Sequence, residues 1–191
     1  ALKKSPGNKN ILDEIKNITG NHGMILPVKM GVEGKNAEVK LIYRNAESAL
    51  VTVRELDWKK LYDTFLTKRS LVNEKVPYDL YSFMGYSYWY NNKNHILRQE
   101  SPWKELAAGK IIDSFEMKLN PRKGYLNTGT KIPLAGIKKA GFYLVTVKLK
   151  GGTVCETLYC VTKGTLLSIN GKAGTRIIFC DAETGEALAG K

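Results

Sequence analysis

Long apolar runs are missing from this chain of 191 residues. None approaches the ~20 residues that a membrane-spanning helix needs, so direct membrane insertion is not expected. The opening ALKKSPGNKN also lacks the apolar centre of a secretory signal. Cysteine is scarce: Cys155, Cys160 and Cys180 are the only three. An odd number excludes a complete disulfide framework. Cys155 and Cys160 stand five apart in one expected strand and so point to opposite faces, which leaves buried or half-buried thiols as the expectation. There is no C-x-x-C pair, and His22 and His95 lie far from the cysteines in sequence. A zinc site is therefore not expected.

Acidic residues are also short, 18 against 30 basic ones, for a formal charge of +12. Charge speaks to partners rather than to fold. Lys93 and Arg98 flank an aromatic stretch, which would suit backbone contacts and base stacking. Yet Lys40, Lys118 and Lys148 are spread over outward strand positions, as on a solvated surface, and no nucleic-acid motif is present. Nucleic acid is not an expected partner. The glycines at 151–152, 171 and 174 fall between expected strands rather than between a strand and a helix, so no phosphate-binding loop is read and no cofactor is expected. The two histidines sit in polar, loop-like stretches. Asp13-Glu14 suits a helix N-terminus, and Asp181 and Glu183 suit a turn. No nucleophile, base and orienting group converge, so no catalytic residue is named and the chain is not expected to be an enzyme.

What is present is mostly strand. NILDEIKNITG predicts a short helix capped by Asn10, with Ile11, Leu12, Ile15 and Ile18 as its apolar stripe and Gly20 as its stop. In AEVKLIYR, Ala37, Val39, Leu41 and Tyr43 share one face. ALVTVREL resumes after a short polar connection, and the two segments read as one two-strand unit with a single buried side. Trp58, Leu61, Tyr62 and Phe65 then keep a helical period with Asp57 as cap. YDLYSFMGYSYWY comes next, holding Tyr81, Tyr86, Tyr88, Trp89 and Tyr90, a possible partner-binding patch. SFEMKL places Phe115, Met117 and Leu119 inward. GFYLVTVKLK places Tyr143, Val145, Val147 and Leu149 inward and turns at Gly151-Gly152 into TVCETLYCV. In that last strand Val154, Leu158 and Cys160 are the expected inward set. TLLSI and TRIIFC form two further strands, and DAETGEALAGK reads as a turn and the start of another strand, as in a fragment of something longer. The fold class is mainly β: an antiparallel β-sandwich of immunoglobulin or fibronectin type with a helical, aromatic-rich insertion.

Several of these stretches resemble the bacterial alpha-2-macroglobulin family. They are KIPLAGIKKAGFYLVTVKLKGG, the strand ending CVTKGTLLSI, and RIIFCDAETGEALAG with its turn residues Asp181, Thr184, Gly185, Leu188 and Gly190. LIYRN, with Tyr43, Arg44 and Asn45, and the leading SPGNKNILDEIKN are similar as well. The resemblance implies three parts: a helix and linker over 1–23, a macroglobulin-like sandwich over 24–163 with residues 57–103 inserted, and the start of a second macroglobulin-like domain over 164–191. It implies a non-catalytic module of a long, exported protein, periplasmic or at the cell surface, that traps proteases or serves surface defence. The partners it implies are neighbouring domains of the same chain and, through the full-length protein, proteases. Cys155-Glu156-Thr157-Leu158 lacks the Gln of the family's thioester motif, so that chemistry does not carry over. The alternative is an adhesion or carbohydrate-binding sandwich that uses the Tyr/Trp cluster.

Overall fold

The structure, a computed structural model, describes residues 9–26, 30–57, 59–60, 62–63, 109–171 and 174–188. Within them, period-two alternation of apolar and polar residues builds two facing sheets. Strands β1 (His22–Ile25), β3 (Glu38–Arg44) and β6 (Thr128–Pro133) form an antiparallel sheet in the order β1-β3-β6. The second sheet adds β2 (Gly31–Val32), β4 (Ser48–Leu56), β5 (Ile111–Lys118), β7 (Gly141–Leu149) and β8 (Val154–Thr162), in the order β2-β8-β7-β4-β5. Only the β2–β8 pair in that sheet is parallel. The inner faces meet in one apolar core, to which Val39, Leu41, Tyr43 and Ile132 contribute from the first sheet and Val51, Val53, Val145 and Val147 from the second. Each fully buried side chain of this kind contributes about 1.5–3 kcal/mol. The architecture is the mainly β sandwich that the patterning predicts.

Two strand readings need correction. The segments 38–44 and 48–56 do not pair with each other. They lie in opposite sheets, β3 beside β1 and β6, and β4 beside β5 and β7. Their buried sides face each other across the core, which a sequence pattern cannot tell from a shared sheet. The reversal between them is made at Asn45, whose φ of 58° is left-handed.

The inward set of β8 is Cys155, Tyr159 and Val161 rather than Val154, Leu158 and Cys160. The hairpin at Gly151-Gly152 fixes the register, with Val147 opposite Cys155 and Lys148 opposite Val154. Opposed residues share a face, and a slip of one residue exchanges the faces. Val154 is accordingly 47% exposed. Leu158 is buried on the outer face, opposite Leu144. A strand apolar on both sides offers no alternation to read.

Helix α1 (Lys9–Thr19) ends before Gly20 as expected. It contains Asn10 within its first turn, so Asn10 is not the cap, and Asp13 and Glu14 fall in the second turn rather than the first. Asn21-His22-Gly23, read as loop, runs straight into β1. Asp57 does act as a helix cap: its Oδ1 accepts the Lys59 amide at 2.8 Å and the Lys60 amide at 3.4 Å. The remainder of the 57–103 insertion lies outside the described residues, apart from 59–60 and 62–63.

The last two strands stand apart from both sheets. β9 (Gly164–Gly171) and β10 (Gly174–Asp181) pair with each other as an antiparallel ribbon, and Cys180 of β10 also bridges to Ala187 beyond the turn.

Candidate interdomain junction

The residues that carry the resemblance turn out to fasten joints. Tyr43 is buried, and its hydroxyl accepts the Asn120 amide at 3.0 Å, tying β3 to the loop after β5. Asn45 turns its amide onto the end of α1, donating to the carbonyls of Ile18, Thr19 and Gly20 at 3.3, 2.9 and 3.0 Å. These are among the carbonyls that a helix cannot satisfy by itself. Tyr143 lies near the start of β7 and donates its hydroxyl back to the Lys139 carbonyl at 2.7 Å, the corner device of immunoglobulin-type sandwiches. Asn21 donates to the Lys150 carbonyl and accepts the Thr153 hydroxyl at 3.0 Å, so the α1–β1 linker grips the β7–β8 hairpin.

Between β8 and β9 there is a single residue, Lys163. Around it, Thr162 Oγ1 donates to the Gly164 carbonyl and accepts the Gly164 amide, at 2.6 and 3.2 Å. The Lys163 carbonyl accepts the Ala182 amide at 2.9 Å. Its ammonium reaches Glu33 Oε2 at 2.9 Å, while Glu33 Oε1 accepts the Ala140 amide at 2.9 Å. Lys163, and after it the Ala140 amide, holds the Glu33 carboxyl below its ordinary range. Lys35, two residues on, forms an ion pair with Glu183 of the turn after β10. That turn is the expected one. Asp181 Oδ1 accepts the amides of Thr184 and Glu183 at 2.8 Å, bonds that keep its carboxyl acidic, and Gly185 takes the left-handed φ of 75°. Gly190 lies outside the described residues.

Beyond the junction the ribbon shows apolar side chains on both faces. Leu166 stands opposite Phe179, and Ile177 lies on the same face; Leu167 and Ile169 are on the other. Leu166 and Ile177 are each 68% exposed. No sequence signal distinguishes these side chains from core, since exposure is a property of what surrounds a strand.

The cysteines are free thiols, Cys155 and Cys180 buried and Cys160 half-buried. Burial pushes the Cys155 thiol up to about 12, far from the thiolate that nucleophilic chemistry needs. Among the described residues, no cluster of three or more His, Cys, Asp or Glu could hold a metal, and no helix is long and apolar enough to cross a membrane. His95 and the aromatic set Tyr81, Tyr86, Tyr88, Trp89 and Tyr90 lie outside the described residues.

No protein-family model and no curated protein sequence matches the chain. Solved structures do. A native alpha-2-macroglobulin segment from Escherichia coli spanning domains NIE-MG1 superposes with a TM-score of 0.56 at 17% identity, covering 89% of this chain and 74% of that one. The chain has the fold of a bacterial macroglobulin segment. A longer segment of that protein, MG0-NIE-MG1, gives a TM-score of 0.53 at 14% identity over 88% of this chain. The native whole molecule gives 0.52 at 14% identity, again over 88%. This macroglobulin-like chain spans 47% of the MG0-NIE-MG1 segment and 10% of the whole molecule.

Proposed function

We propose that this chain is a non-catalytic, macroglobulin-like module of a bacterial alpha-2-macroglobulin-type protein, and that it works by contacts with neighbouring domains of the same chain. One observation carries the reading: a bacterial alpha-2-macroglobulin segment spanning domains NIE-MG1 superposes over 89% of the chain. The division that fits has the helix and linker over 1–23, one sandwich over 24–163, and the opening of a second domain over 164–191. The separate ribbon supports it. A two-stranded hairpin is marginal alone in water, and one apolar on both faces needs cover on both, as inside a further sandwich. The full-length protein would be exported to the periplasm or cell surface, where it would trap proteases.

The test uses the full-length protein and an active protease at equimolar ratio. A trap leaves the protease bound, able to cleave a small chromogenic peptide but slowed at least tenfold on a folded protein substrate. A protease that stays unbound and equally active on both substrates overturns the trapping role.

A further inference from the structure

The geometry points to Lys163 as a one-residue articulation between sandwich and ribbon, held at one angle by a clasp of two carboxylates, Glu33 and Glu183. This rests on reading the ribbon as part of a second domain, and it names how that domain's orientation is set.

The covalent joint is short and self-bonded, since Thr162 Oγ1 closes on Gly164 in both directions. Within the ribbon, the Phe179 ring packs over Gly164. The Thr162 contacts fix the pivot, but they lie near the axis on which the ribbon would turn. The contacts with leverage lie to its side. Glu33 comes directly after β2 and is bound from three directions: its own amide donates to the Thr162 carbonyl at 3.1 Å, and its carboxylate holds the Ala140 amide and the Lys163 ammonium. Lys35 extends from the same turn to Glu183, which the Asp181 turn presents in a fixed place. One turn of the sandwich therefore grips both the joint and the turn that follows β10, at the end of the ribbon beside the joint.

The choice of ion pairs for this grip has a consequence. Exposed pairs contribute little to stability and weaken with salt, and Lys35, Glu183 and Lys163 are largely solvent-facing. Such pairs can let go without unfolding either side. The element they pull on is also the most lightly paired strand of the second sheet, β2, which has two residues and two register partners on β8. Turning the ribbon thus releases or drags the 31–35 segment and, through Ala140, the start of β7. The clasp converts rotation at the ribbon into movement at the sheet edge.

The experiment measures the distance between spin labels, carried by a non-canonical residue at the exposed positions Ala135 and Ser168, by double electron–electron resonance in the full chain. The unaltered protein should give one narrow distribution in low salt that broadens in about 1 M sodium chloride, where screening reaches only a few ångströms. Glu183→Gln should broaden it at least twofold in low salt, and combining it with Glu33→Gln further, while circular dichroism stays native. The exchange Lys35→Glu with Glu183→Lys should restore the narrow distribution, which loss of a merely structural side chain would not do. Should the Glu33 change impair folding, because Glu33 also anchors Ala140, the Glu183 change and the charge exchange still decide. A width unchanged by Glu183→Gln, or a distribution already broad in low salt, overturns the clasp. Neither result touches the trapping role, which the protease experiment tests by itself.

Discussion

Asn45 performs two tasks that mutation can separate. Its backbone sits at φ 58°, and its amide closes the C-terminal end of α1 through Ile18, Thr19 and Gly20. Asn45→Gly keeps a residue at ease in the left-handed region and removes only the amide. Asn45→Ala also removes the amide but keeps a Cβ at that φ without the local hydrogen bonding that eases Asn there, so it should cost about 1–2 kcal/mol more than Asn45→Gly. The amide faces partly solvated carbonyls, so its loss costs about 1 kcal/mol. That loss acts on the helix end more than on the core. Amide hydrogen exchange and urea unfolding read the two parts separately. In both variants, exchange over the last turn of α1 should accelerate about fivefold, the equivalent of about 1 kcal/mol. Only Asn45→Ala should also lower the global stability in urea, by about 1–2 kcal/mol. Equal global destabilisation by Gly and Ala would refute the backbone argument. Unchanged exchange in α1 would refute the capping role.

At Gly23, an added Cβ would lie 2.6 Å from Leu149 Cδ1 and 2.8 Å from Cys155 Sγ, so Gly23→Ala should lower stability in urea by about 1–3 kcal/mol through overpacking. Glu33 and Asp181 are both held below their ordinary values, so their stabilisation is present above the unfolded pKa and is lost as pH falls through the folded one. The urea midpoint should therefore decline below about pH 4.5, near the unfolded carboxylate range, and Glu33→Gln with Asp181→Asn should flatten that decline; a slope left unaltered speaks against both assignments. With its thiol near 12 and buried, Cys155 should stay unalkylated by iodoacetamide at about pH 8 for hours in the native state and react within minutes in urea, and prompt native labelling would contradict its place in the core. Tyr81, Tyr86, Tyr88, Trp89 and Tyr90 remain proposed as a partner-binding patch, for which Tyr88→Ala with Trp89→Ala should abolish retention on a glycan array; absence of binding by the unaltered chain removes the carbohydrate reading.

How legible the fold is depends on whether each strand has one wet face. β3 alternates cleanly, so spacing alone assigns Val39, Leu41 and Tyr43 correctly, and Val145, Val147 and Leu149 of β7 likewise. β8 is apolar on both sides, with Leu158 buried outside and Tyr159 buried inside, and there parity has nothing to work on. Pairing is less legible than burial. A residue's face depends on its own neighbours, but whether β3 and β4 share a sheet depends on the left-handed turn at Asn45 and on distant strands such as β6 and β7. Of the junction, the Asp181–Gly185 turn is visible because turn chemistry is local. The partnership of Glu33 with Lys163 is not, since it joins opposite ends of the chain.

The motifs that suggest the resemblance prove to be those that hold pieces together. Tyr43, Asn45, the Tyr143 corner and the Asp181 turn each commit a polar group to a backbone atom at a joint. Core positions need only be apolar and of suitable size, and many sequences satisfy them. A joint needs a particular donor at a particular distance, so fewer residue types serve. Two chains at 17% identity can therefore share a fold while little of their core is recognisable, and the residues that remain legible between them should gather where elements change sheet or where one domain meets the next. On that argument, substitutions at Asn45, Tyr143 and Asp181 should alter the geometry between elements before they alter the core, whereas substitutions at Val51 or Val147 should do the reverse.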